Sequence, residues 1–425
     1  MSLLSPLRSV VEAYLERTIL QPAVTAPVEP QRIFAAAPIA MYVHVPFCGA
    51  KCAYCAFNKE RRSPAQIEAY LRAVSAEVDW YGSQPRLAKA PLSSLYIGGG
   101  TPSFVPAELL ATLLDTIRRR FHLPTDLQVT LEANPESVTA DKLACYVRAG
   151  VNRISLGAQS FDDAQLRRLG RQHDGGRTRT ALRLIRAAGI DEVNLDLMYG
   201  LPGQTLDDFA TDLQQALSTS ASHIALFPLV HQPTTPLGRR QPARRPLLGM
   251  YEHALYALER AGFRQYTTED FTRTVPCRYN VDAWQPPPAD CLALGAGALS
   301  SLAATHWHNI GDIDRYVAVA ESGRPPIAGA SPMPPREQMI EHVLLATRTL
   351  RFDPGLFEQR FGVPVERALG PWPTLARALG LARRDPAGTV ELSPRGRLLA
   401  SRLWSAFILE KLAQTAADRG PVEKP

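Results

Sequence analysis

A chain of 425 residues, 45% hydrophobic and 21% charged, is too long for one small core and reads as a soluble protein of two or three packed domains. No apolar run approaches the roughly 18 residues that a membrane helix needs, and the N-terminus lacks the charged-then-apolar pattern of an export signal; a cytoplasmic protein with no membrane partner is expected. The net charge of +6 comes mainly from scattered arginines, without the interleaved aromatic and basic stripe that stacks single-stranded bases, so no nucleic-acid partner is expected.

In chain order, apolar residues at helical spacing predict a short helix from Leu4 to Leu20, and a Pro/Ala/Val stretch from Gln21 to Pro38 predicts an extended strap. Short β-rich runs follow at Met41–Phe47, Ser94–Gly98, Gln128–Ala133, Arg153–Gln159, Glu192–Tyr199 and His223–Val230. Helical stretches lie between them, among them Gln66–Trp80, Pro106–Phe121, Ala140–Ala149, Arg177–Ala188 and Leu206–Leu217. This alternation predicts parallel βαβ units with right-handed crossovers. Six such units without a seventh or eighth predict an open partial barrel over residues 39–265, with ligands at the C-terminal ends of its strands. Residues 266–335 read as a mixed strand and loop extension. Residues 336–415 read as helices around one hairpin near Asp385–Thr389, resembling a winged-helix module, and 416–425 as a disordered tail. The expected class is α/β, a partial (β/α)6 barrel followed by a helical C-terminal domain.

The chemistry is concentrated after the first strand, where Cys48, Cys52 and Cys55 form a C-x3-C-x2-C run. Three thiolates this close can hold three irons of a [4Fe–4S] cluster and leave the fourth open to a non-protein ligand. S-adenosylmethionine (SAM) can chelate that iron through its amino and carboxylate groups. Structural zinc wants four protein ligands, and no second pair is present. Cys145, Cys277 and Cys291 are isolated and read as buried small hydrophobes. Gly98, Gly99 and Gly100 end the second strand before Thr101 and Pro102, where missing side chains let backbone approach a ligand. Glu132, Gln159 and Asp196 lie at or near the ends of strands three, four and five, either as polar groups in the barrel mouth or as strand-end caps.

Tyr42-Val-His44-Val-Pro46-Phe47-Cys48, Gly98-Gly99-Gly100-Thr101-Pro102, Gly157-Ala158-Gln159-Ser160-Phe161, the Asp196–Thr205 run and Gly295-Ala296-Gly297-Ala298 occur in that order. Together they closely resemble the family of oxygen-independent coproporphyrinogen III oxidase, over residues 40 to 410. The resemblance implies a partial (β/α)6 radical SAM barrel, a distinctive C-terminal domain and, in several branches, two SAM molecules. Tyr42, Gly98, Gly99, Gly100, Thr101, Glu132, Gln159, Arg171 and Asp196 match positions around the cluster-bound SAM. Asn280, Asp282, Gly295, Gly297 and Ala298 match the neighbourhood of the second.

Within the family, the oxidase has a further cysteine where this chain has Phe57. The heme-chaperone branch shares an ending close to Cys55-Ala-Phe-Asn58. It typically shows His-Asn-x-x-Tyr-Trp, however, where this chain has Tyr279-Asn280-Val281-Asp282-Ala283-Trp284, and it generally lacks an N-terminal extension. By exclusion the expectation is a class C radical SAM methyltransferase, with the heme chaperone or an oxidase-like enzyme as alternatives. Such an enzyme would use two SAM molecules to methylate an unactivated sp2 carbon, such as a thiazole or indole position. Glu132 would be the base for the final proton. The partners this implies are a small-molecule or modified-peptide substrate with an aromatic heterocycle, and an electron donor such as flavodoxin or ferredoxin.

Overall fold

The computed structural model describes residues 38–55, 60–85, 87, 90–229, 235–239 and 244–401. The predicted N-terminal helix, nearly all of the strap, Phe57 and the predicted tail lie outside the described residues.

Six strands form the barrel: β1 (Ile39–Val45), β2 (Leu92–Gly99), β3 (Gln128–Ala133), β4 (Arg153–Gln159), β5 (Glu192–Tyr199) and β6 (His223–Pro228). Each pairs with the next in parallel. β4 is buried along its whole length, as expected of a parallel strand covered on both faces. The outer layer is α1 (Pro64–Gly82), α2 (Ala107–Arg120), α3 (Ala140–Arg148), α4 (Asp163–Leu169), α5 (Gly175–Ala187) and α6 (Leu206–Leu217). Their starts are chemically marked. Ser63 with Gln66 and Thr205 with Asp208 form capping boxes, and Thr139 and Asp174 accept from the backbone three residues on.

Beyond β6 the chain continues with α7 (Arg244–Arg260), β7 (Arg264–Gln265), β8 (Asp270–Thr272), α8 (Arg278–Trp284), β9 (Cys291–Leu294), β10 (Leu299–Leu302), β11 (Thr305–Asn309), α9 (Ile313–Glu321) and β12 (Ile327–Pro332). The stretch read from sequence as a mixed extension continues the barrel sheet at both edges. β8 pairs antiparallel with β6, and β9 pairs in parallel with β1, setting Ala40 opposite Cys291. β10, β11 and β12 follow antiparallel, giving one twelve-stranded sheet.

α8 runs across the opening between these edges, at the N-terminal ends of the strands. Its Arg278 N–H donates to Gln128 Oε1 at 2.7 Å on β3, and Asn280 Nδ2 donates to Asp270 Oδ2 at 3.1 Å on β8. Ser94 of β2 donates to Asp282 Oδ2 at 2.8 Å. The helix therefore forms the barrel floor.

The C-terminal module comprises α10 (Pro335–Arg348), β13 (Arg351–Phe352), α11 (Pro354–Phe361), α12 (Val365–Leu369), α13 (Trp372–Ala378), β14 (Ala382–Arg384) and β15 (Val390–Leu392). Its hairpin turns at Asp385–Thr389, where the Asp385 N–H donates to the Thr389 carbonyl at 2.9 Å. A separate small core of Phe352, Phe357, Val365 and Val390 holds it together. Among the described residues, no helix is long and apolar enough to cross a membrane.

Candidate functional site

The loop leaving β1 carries the three cysteines and is anchored to the end of β2. The Gly100 N–H donates to the Val45 carbonyl at 2.9 Å and the Thr101 N–H to the Phe47 carbonyl at 2.8 Å. A Cβ on Gly100 would stand 2.6 Å from the Phe47 oxygen, so only glycine allows this approach. Cys48 and Cys52 are buried and Cys55 is half-buried. All three line one cavity of about 340 Å³ at the C-terminal ends of the strands. Cys48 Sγ shares a 3.3 Å hydrogen bond with Thr101 Oγ1. Arg171 Nη1 donates to Cys52 Sγ at 3.6 Å, and its Nη2 donates to Asn134 Oδ1 and the Gly157 carbonyl, both at 2.7 Å.

Among the described residues, no three His, Cys, Asp or Glu side chains converge as ligands of a single ion would. A four-iron cluster asks for something else, one thiolate for each of three irons. Three thiols of one loop facing one cavity, with a guanidinium to offset thiolate charge, fit that donor set.

Polar groups ring the same cavity. Glu132 accepts from Tyr96 Oη at 2.8 Å and from the Gly99 N–H at 2.9 Å, and burial pushes its carboxyl up despite these bonds. Asp196 accepts from Asn194 Nδ2 at 2.6 Å. Burial, then the charges of Glu132 and Asp270, push it up to about 7. Gln159 ends β4 in the left-handed region at φ 66°, a conformation uncommon for a residue with a side chain. Tyr42 Oη lies 3.0 Å from His44 Nδ1.

Tyr42, Gly99, Gly100, Thr101, Glu132, Gln159, Arg171 and Asp196 thus line the cavity with the cysteines. Gly98 stands just behind it, where a Cβ would come within 2.9 Å of the Glu132 carboxyl. Sequence reasoning missed Asn134, which joins Arg171 to Thr101 Oγ1 at 3.0 Å; its position just after β3 was the available signal. It also missed Glu269 and Arg348, which line the cavity from distant segments and carry no local signal.

The other five candidates do not line this cavity. Asn280 and Asp282 are engaged at the barrel floor. Gly295, Gly297 and Ala298 form the turn after β9. Gly295 has φ 100°, and a Cβ there would stand 2.6 Å from the His44 carbonyl oxygen. The turn is held by the buried Glu77, which accepts from the Gly295 N–H at 2.9 Å.

A radical SAM superfamily model matches residues 42–216; this membership implies a [4Fe–4S] cluster and SAM. The heme chaperone HemW of Haemophilus influenzae is 37% identical over 272 residues, covering 62% of this chain and 70% of that protein. HemW of Bacillus subtilis is 32% identical over 383 residues, covering 87% and 99%. The structure of coproporphyrinogen III oxidase (HemN) from Escherichia coli shares the fold, with a TM-score of 0.79 at 23% identity over 94% of this chain and 98% of that one.

These relatives overturn the expected radical SAM methyltransferase acting on an aromatic heterocycle of a small molecule or peptide. The relatives named above are heme chaperones, and nothing in their likeness to this chain supports such a substrate. The exclusion had leaned on Tyr279 and on the N-terminal extension, nearly all of which lies outside the described residues. In the structure the Tyr279 ring lies 5.0 Å from that of Tyr96 and 6.0 Å from that of Tyr42, inside the barrel, and it does not line the cavity. The half-buried ring packs on both tyrosines, of which Tyr42 lines the cavity. From the cysteine loop, the barrel sheet and relatives that match nearly end to end, the chain belongs to the HemN/HemW-like family of radical SAM proteins.

Proposed function

We propose that this chain is a heme-handling radical SAM protein that works in the manner of HemW. It holds the cluster on Cys48, Cys52 and Cys55, binds SAM beside it, and takes up heme for a heme protein. The observation that carries this reading is the extent of the likeness, 87% of this chain against 99% of the B. subtilis heme chaperone. It runs through barrel, floor helix and C-terminal module instead of ending with the barrel.

When bound, the cluster supplies a low-potential electron able to cleave the SAM sulfonium. Arg171 offsets the charge beside Cys52, the Gly99–Thr101 wall receives SAM by its backbone, and Gln159 and Asp196 orient it. Glu132 fixes that wall through the Gly99 N–H. The role of base belonged to the methyltransferase reading and goes with it. A second SAM, as several branches carry, would lie at the Gly295–Ala298 turn; Asn280 and Asp282 serve the floor. The cytoplasm, where thiols stay reduced, suits this site.

The test is a heme titration of the anaerobically reconstituted protein, followed by absorbance, with SAM products assayed alongside. Stoichiometric heme binding without S-adenosylhomocysteine is expected. Failure to bind heme, or transfer of labelled methyl to a thiazole or indole, would remove the reading.

A further inference from the structure

Among the described residues, the cavity is lined by two cations, Arg171 and Arg348. They serve different walls. Arg171 belongs to the cysteine wall, with Nη1 on Cys52 and Nη2 on Asn134 and Gly157. Arg348 arrives from the last turn of α10, in the C-terminal module. Its guanidinium lies 3.7 Å from the centre of the Trp284 ring of the floor helix. Its Nη2 is 3.6 Å from Glu269 Oε2, and both side chains are buried, at 6% and 3% exposed. The segment is tied to the barrel edge by backbone as well. The Thr268 N–H donates to the Arg348 carbonyl at 2.8 Å, and the Leu226 N–H to the Glu269 carbonyl at 2.9 Å.

The other charged groups facing this space, Glu132, Asp196 and Glu269, are acids. Any carboxylate entering it must therefore be met by a cation. The same cavity also has apolar lining, formed by Met198, Phe227, Pro228 and Leu229. A flat apolar body against these residues with a carboxylate arm toward the guanidinium is the ligand chemistry this arrangement accepts. An arginine stacked on a tryptophan is held in one orientation, which lowers the ordering cost of receiving that arm.

We propose that Arg348 anchors a ligand carboxylate in this cavity, a heme propionate, so that the C-terminal module takes part in selecting the ligand. Glu269 holds the guanidinium in place and competes for it. The inference rests on the heme reading, since it assigns a role within the same cavity.

The experiment compares ferric heme with heme dimethyl ester, which keeps the macrocycle and blocks both carboxylates. Both are titrated into full-length wild type, Arg348→Gln and Glu269→Gln. Wild type should bind heme more tightly than the ester. Arg348→Gln should weaken heme by about tenfold or more, the range of a charge-assisted hydrogen bond, and leave the ester unchanged. Glu269→Gln should tighten heme several-fold and leave the ester unchanged, which carries the test if the arginine variant does not fold. Equal losses for both ligands, or no change in either variant, overturn the proposal while leaving the heme reading standing. Wild type that binds no heme overturns both.

Discussion

Arg171 places Nη1 3.6 Å from the Cys52 sulfur while its Nη2 bridges Asn134 and the Gly157 carbonyl. One side chain thus fixes a ligand loop to the ends of β3 and β4 and supplies positive charge where a thiolate must be held. Outer contacts of this kind usually contribute about 10- to 100-fold to metal-site affinity. Arg171→Met should retain its fold by circular dichroism and hold substantially less iron and sulfide after reconstitution. Wild-type iron content in this variant would show that the contact does not matter to the site.

The six cysteines should divide sharply. Alanine at Cys48, Cys52 or Cys55 should abolish the broad visible absorbance of the reconstituted cluster. Cys145, Cys277 and Cys291 are buried at positions away from the cavity. Alanine there should preserve the absorbance and cost only packing, about 1 kcal/mol each by denaturation. Loss of the cluster in one of these three would mean that a further ligand has been overlooked.

Gly100 and Gly249 offer a paired glycine test. A Cβ on Gly100 would meet the Phe47 backbone at 2.6 Å, whereas one on Gly249, inside α7, has nothing within 4 Å. Gly100→Ala should destabilise by about 1–3 kcal/mol and displace the cysteine loop, lowering cluster content. Gly249→Ala should stabilise by about 0.5–1 kcal/mol through helix propensity. Thermal melts and iron assays of both proteins decide the matter, and similar behaviour of the two variants would count against the close approach.

Glu77 is enclosed by Tyr316 Oη, by Asn309 Nδ2 at 2.6 Å and by the Gly295 N–H at 2.9 Å. Burial pushes its carboxyl from the ordinary 4.5 up to about 7. The folded state therefore keeps this proton after the unfolded chain has lost it. The associated stability is complete below about pH 4.5 and is lost as pH rises toward 7, at about 1.4 kcal/mol per pH unit. Denaturation of wild type and Glu77→Gln across that window should show the wild-type advantage falling by about 3 kcal/mol. A difference independent of pH would exclude a carboxyl that titrates in this range.

Much of the barrel was legible because its determinants are local. β4 is a continuous buried run and the helices begin at recognisable caps, so strand and helix announce themselves within ten residues of sequence. The cysteine run was legible for the same reason, since three irons of one cluster demand thiols at short spacing. Gly99, Gly100 and Gln159 could be placed at the cavity from their positions at strand ends, and Asp196 from lying near the end of β5. The choice of branch was not legible. It turned on the N-terminal extension and on Tyr279 of α8, whose ring meets two others, Tyr42 from β1 and Tyr96 from β2.

By itself, the sequence determined the order of the barrel's strands and helices and the spacing of the cysteine run that follows its first strand. Periodicity, capping and ligand spacing are all short-range properties. Only the tertiary structure decided that β9 lies beside β1, that α8 draws Asn280 and Asp282 to the floor, and that Glu269 and Arg348 reach the cysteine cavity. Those outcomes follow from open sheet edges seeking partners and from buried polar and charged groups seeking partners far along the chain. No local pattern encodes such pairings; they are resolved when the whole chain packs.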